Sequence, residues 1–166
     1  AGRLEVVAHQ HLPIFHTEHC VFARFLSKGN DFTDCGHPCE RSSLHLRDSN
    51  GKDHKVLADM GCRNTVFNAK AQSAAMDLAA FAAAGVGFLR LELVDEPAES
   101  VANLVKRYHA AARGRLPADK LWGFVAQLTD SNGRCQGVDR GSLDDASWRE
   151  RDKSEMKVTA AAQRSR

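Results

Sequence analysis

The stretch VGFLRLELVDEPAESVANLVKRYHAAARG, residues 86–114, decides the fold class. Residues 86–94 form a nearly continuous apolar run, the pattern of a strand buried on both faces of a parallel sheet. Glu96–Gly114 then reads as a helix. Pro97 stands in its first turn and basic residues gather toward its end, where they complement the helix dipole. Val101, Leu104, Val105 and Tyr108 recur at helical spacing and predict its buried stripe.

Working upstream, Thr65–Ala84 predicts another helix. It is rich in Ala, carries Val66, Met76, Leu78 and Phe81 as larger apolar residues, and meets Gly85 as a stop. The order strand, helix, strand, helix from Val56 to Gly114 implies a parallel α/β arrangement. Two such units cannot close a barrel by themselves. The expected fold is therefore α/β, the later part of a (β/α) barrel-like domain whose other half lies elsewhere.

An inserted hairpin and a cysteine-rich loop precede these units. LEVVA (4–8) and LPIFHT (12–17) are short strand-like runs, and residues 44–48 and 54–59 flank Ser49-Asn50-Gly51 as hairpin arms. Between them, the segment with Cys, His, Gly and Pro is irregular apart from a helical turn near Val21–Leu26. The expected organisation is a partial domain over residues 1–128, with a cysteine-rich core at 12–68 and βα units at 56–114. A disordered tail follows at 129–166, because the sequence from about Gly133 alternates charge with Gly and Ser and lacks periodicity.

Of 166 residues, 43% are hydrophobic, which favours a globular chain over a disordered one. The formal charge of +2 is too small to imply nucleic-acid binding by itself. No apolar run is long enough to span a membrane. The start, AGRLEVVAHQ, shows neither an initiator Met nor a signal pattern, so the chain reads as a fragment entered mid-domain.

Five cysteines are an odd number, and all but Cys135 fall within residues 20–62. Disulfide frameworks favour even counts in small secreted chains. Thiolates held for metal binding in a reducing compartment, cytoplasm or organelle matrix, are the better reading, and the protein is not expected to be secreted. Cys20, Cys35, Cys39 and Cys62 have 14, 3 and 22 residues between them. Zinc ribbons show two close pairs, whereas here only Cys35-Gly-His-Pro-Cys39 is close. Four thiolates collected from separate strand ends suit a cubane cluster. Structural zinc and unligated buried cysteines stay open as alternatives. Cys135 reads as an incidental thiol.

LPIFHTEHCVFARFLSKGNDFTDCGHPCE (12–40) and HLRDSNGKDHKVLADMGCRNTVFNAKAQS (45–73) resemble the core signature of peptidase family U32, the collagenase-like proteases. The likeness runs over roughly residues 4–110 and is greatest to the longer members that modify ribosomal RNA. It implies a (β/α) barrel-like catalytic domain. It also implies oxygen-independent hydroxylation of an RNA base or the ubiquinone ring, with a 4Fe–4S cluster on four cysteines and, in the RNA-modifying members, prephenate as a requirement. By resemblance, Cys20, Cys35 and Cys62 match the family's ligands. Shorter members have a further cysteine seven positions after the first, where this chain has Ser27, and Cys39 is the natural substitute.

Around these cysteines, His16, Glu18, His19 and His37 are placed either for proton transfer or to orient the loop by hydrogen bonds. Arg63 and Asn64 precede the expected helix, where N–H groups favour an anionic substrate; a capping Asn64 beside a solvated Arg63 is the plainer reading. Arg90 and Glu92 share one face of the expected buried strand, so they either pair or line a barrel interior as substrate-binding and catalytic groups. Arg24, Lys28, Arg41, Arg47 and Lys52 add positive charge suited to RNA or simply to a solvated surface. The expected function is iron–sulfur-dependent hydroxylation of rRNA or tRNA. The alternatives are a peptidase using Cys20 with His19, and a non-catalytic remnant with a structural metal.

Overall fold

The first two strand-like runs become β1 (Glu5–Gln10) and β2 (Pro13–Thr17), but they part into different sheets. In the computed structural model, which describes residues 3–144, one sheet is mixed and the other antiparallel. The antiparallel sheet has the order β2-β5-β4-β3 and the mixed one β7-β1-β6-β8.

The antiparallel sheet contains the hairpin as expected. β3 (Leu44–Arg47) pairs with β4 (Asp53–Ala58), and β4 pairs with β5 (Asn64–Phe67). The turn is wider than a two-residue Asn-Gly turn, because Asp48 N–H donates to the Lys52 carbonyl. Only Gly51 takes the left-handed conformation, with φ 78°. The Asp48 carboxylate closes the turn by accepting from the Asn50 and Lys52 N–H groups. α1 (Val21–Leu26) covers this sheet, burying Phe22 against Val56 and Val66.

Residues 65–84 correct the expectation of one long helix. Residues 64–67 form β5, 71–73 form β6 (Ala71–Ser73), and only 78–83 are helical, as α2 (Leu78–Ala83). Ala71, Ala74 and Ala75 are buried because β6 and the bend after it sit in the interior. Small side chains here permit close packing, and tertiary context overrides their helix propensity. The stop at Gly85 holds, with φ 80°.

The expected alternation from Val56 changes accordingly. β4 belongs to the other sheet, while the parallel partners are β1 and β7 (Phe88–Leu91), and β6 and β8 (Val138–Asp139). β7 is a short edge strand with Phe88 and Arg90 exposed, which corrects the reading of 86–94 as fully buried. α3 (Ala98–Ala112) matches its expectation, burying Leu104 and Tyr108, although Val105 faces solvent. With α4 (Ala118–Ala126) and α2 it covers the mixed sheet around Ala8, Leu78, Leu121 and Val125.

Residues 129–144, expected to belong to a loose tail, pack onto both sheets. Asp130 and Gln136 are buried, and β8 extends the mixed sheet. Lys52 Nζ donates to the Gln136 carbonyl at 2.7 Å, and Arg134 reaches Asp53 at 2.7 Å. Asp95, just after β7, accepts from Ser131 and pairs with His45 and Lys55 of the hairpin. The rest of the expected tail, 145–166, lies outside the described residues. No described helix is long and apolar enough to cross a membrane.

Candidate metal centre

Cys20 stands at the N-terminus of α1, where its Sγ accepts from the Ala23 N–H at 3.4 Å. Cys62 ends a 3-10 turn that follows β4, and Cys39 lies in another such turn, Pro38–Glu40. Cys35 precedes that turn by way of Gly36 and His37. Cys20, Cys35 and Cys39 all lie near enough to Cys62 to act on its charge. Burial pushes the Cys62 thiol pKa up, and neighbouring Cys20, Cys35, Cys39 and Asp31 push it the same way.

The backbone holding these thiols is strained. Among the described residues the non-glycine positions with positive φ are His37 (51°) and Cys62 (64°), both in the cysteine segments. Such conformations persist where surrounding bonds over-determine them and cluster at functional sites. His37 is stapled to Glu40 and to the Phe32 carbonyl. Ser27 Oγ donates to the Cys35 carbonyl at 2.7 Å and accepts from Gly29 N–H. Ser27 thus fixes the segment that carries Cys35.

An open cleft of about 1300 Å³ is bordered by Glu18, His19, Cys20, Cys35 and Cys62, while Cys39 lies outside its lining. Residues 2–129 match the model of Peptidase family U32. The chain belongs to peptidase family U32. No curated protein and no solved structure gives a significant match.

In this U32 domain the donor set is chemically suited to soft metal ions. Four thiolates around a tetrahedral zinc would stand ~3.8 Å apart, from Zn–S bonds of about 2.3 Å. Among the described residues, no three cysteine sulfurs lie within 4.8 Å of one another. Cys20 Sγ has the Ala23 N–H and the Asn64 amide as partners.

The other sequence-predicted residues separate into groups. Glu18 and His19 border the cleft. His16 is on β2, its Nδ1 2.8 Å from Thr65 Oγ1, and lies outside the cleft lining. Arg63 precedes a strand and Asn64 opens it, so the helix N-terminus expected there does not exist. Arg63 is exposed and pairs with Asp59, whereas Asn64 is fully buried. Its amide accepts from Val21 N–H at 2.6 Å and donates to the Cys62 carbonyl at 3.1 Å. Arg90 pairs with Glu5 and Glu92 on the exposed edge strand, which removes the cost of burying either charge.

One cluster has no counterpart in the sequence expectations. His9 and His11 converge on Glu96, with Nε2 to Oε1 distances of 2.7 and 3.1 Å. Burial opposes the charge on Glu96, but hydrogen bonds from both rings hold its pKa well below the usual range. Burial also lowers the His11 pKa, yet Glu96 and the Asn68 carbonyl outweigh it and leave it raised.

Proposed function

We propose that this U32 protein holds a 4Fe–4S cluster on Cys20, Cys35, Cys39 and Cys62 and hydroxylates an RNA base without oxygen. Cys20, Cys35 and Cys62 on the wall of one open cleft, with Cys39 near enough to act on the Cys62 thiol, support this reading, together with the family to which the chain belongs. Bound there, a cluster would supply one-electron redox chemistry. Glu18 and His19 border the cleft and are positioned to hold or move a proton.

The same rim supports an RNA substrate. Arg24 and Lys28 offer charge to phosphates, and Phe32, 65% exposed, offers a face on which an unpaired base can stack. By family resemblance, prephenate would be the co-substrate. We further propose that the exposed edge at β7 receives strands from the remainder of a barrel.

The test is anaerobic purification with iron and sulfide analysis, followed by mass spectrometry of RNA after incubation with the protein and prephenate. About four irons and four sulfides per chain are expected. Cys20→Ala should abolish both, and full iron retention in that variant would sink the ligand assignment. Zinc alone would point instead to a remnant with a structural metal. Cleavage of denatured collagen by the iron-free protein would restore the peptidase reading.

A further inference from the structure

β1 and β7 run parallel and end side by side, the end of an α/β sheet at which ligands are commonly held. That end carries His9, His11 and Glu96, whose donor atoms all lie within 4.8 Å of one another. Their side chains are 0%, 10% and 3% exposed.

Each group's second polar atom is already held. His11 Nδ1 is 2.7 Å from the Asn68 carbonyl, which can only accept, so that nitrogen carries a hydrogen. Nε2 then meets the Glu96 oxygen in one of two ways: as the N–H donor of the protonated ring, or, with the ring neutral, through a cation that replaces that proton. His9 Nδ1 faces the Tyr108 hydroxyl at 3.3 Å. Glu96 Oε2 accepts from the Val94 and Asp95 N–H groups at 2.9 and 3.2 Å. Outer bonds of this kind orient metal-binding histidines and carboxylates.

The spacing fits as well. Neighbouring donors ~2.1 Å from one ion stand ~3.0–3.4 Å apart for octahedral to tetrahedral angles. The observed 2.7 and 3.1 Å need to open by only a few tenths of an ångström. A cavity of about 20 Å³ adjoins the three side chains, with Asp95, Asp130 and Gln136 on its wall. That is room for one water or ion.

We propose that His9, His11 and Glu96 form a mononuclear site for a divalent first-row transition ion, zinc or ferrous iron, distinct from the cysteine cleft. Two imidazoles and one carboxylate are a donor set of intermediate softness and leave positions open for water or substrate. The site does not depend on the cluster reading.

Cobalt(II) titration of the full chain, freed of metal, tests it. Cobalt on nitrogen and oxygen donors absorbs in the visible without the near-ultraviolet thiolate charge-transfer band, so the two sites read separately. One equivalent lacking that band is expected in the wild type and in Cys20→Ser. Glu96→Gln and His11→Gln should weaken its binding by more than about tenfold. Displacement of the cobalt by zinc or by ferrous iron under anaerobic conditions tells which ion the site prefers. Cobalt bound to the wild type through thiolate alone, or unchanged binding by folded Glu96→Gln, overturns the proposal. If the variants fail to fold, the wild-type spectrum alone decides.

Discussion

Asn64 on β5 reaches the first residue of α1: its Oδ1 accepts from the Val21 backbone N–H at 2.6 Å, 43 positions away. The same amide donates to the Cys62 carbonyl and lies 4.0 Å from Cys20 Sγ. One buried side chain therefore ties the two outermost cysteine segments together and satisfies a helix-end N–H that would otherwise be orphaned.

Asn64→Ala removes that tie and leaves buried polar groups unpaired. The expected loss is about 2–3 kcal/mol, read as a lower urea midpoint, with reduced iron content in the same protein. An unchanged midpoint would show that water replaces the amide.

Asp53 is buried beneath Arg47 and Arg134. The hydrogen bond from Arg47 chiefly, opposed by burial and aided by Arg134, holds its pKa down at about 2 against the ordinary 3.8. A depressed carboxylate stabilises the fold fully above its unfolded pKa, and this stability disappears as the pH falls through the folded one. Asp53→Asn should cost about 1–2 kcal/mol at pH 7, since both guanidinium groups are half exposed and screened. The gap from wild type should close between about pH 4 and pH 2 in acid-unfolding curves.

Gly29 lies against the loop that carries Cys35, and a Cβ there would overlap the Asp34 carbonyl. Gly29→Ala should therefore displace the cysteine loop and lower the iron content. Gly51→Ala is the control. Nothing crowds its Cβ, so it should cost about 1–2 kcal/mol for its left-handed backbone and leave iron unchanged.

Cys135 is exposed and donates to the Ala126 carbonyl at 3.0 Å, away from the other thiols. Cys135→Ser should retain all bound iron and shift stability by no more than about 0.5 kcal/mol. Loss of iron from this variant would place a fifth thiol in the cluster's assembly.

Tyr108 joins α3 to β1 and β6 through its hydroxyl, 2.6 Å from Ser73 Oγ and 3.2 Å from the Ala8 carbonyl. Burial raises its pKa, so the phenol stays protonated. Tyr108→Phe should lower stability by about 1–2 kcal/mol, measured by thermal unfolding.

Local pattern made several elements legible. Short apolar runs and Pro13 marked the first two strands, Gly51 marked the hairpin, and the spacing from Val101 to Tyr108 marked α3. Residues 65–84 were misleading because Ala serves equally as a helix former and as the small residue of a crowded interior. Asn64-Thr65-Val66-Phe67, with its β-branched and aromatic residues, was the local signal for strand. That Cys20, Cys35 and Cys62 line one cleft was not legible, since it depends on how the loop at 27–40 folds back. His9 and His11 meet Glu96 across more than eighty positions, beyond any local pattern. The available hint was His-Gln-His at a strand end, because alternate strand residues face the same way.

The match to family U32 ends at residue 129, yet Arg134 shields Asp53, Gln136 anchors Lys52, and β8 lies against β6. Excision at the homology boundary would therefore uncover a carboxylate and an inner strand edge. A recombinant fragment cut there is expected to be sticky and easily digested by proteases. The shortest version worth expressing extends beyond Asp139.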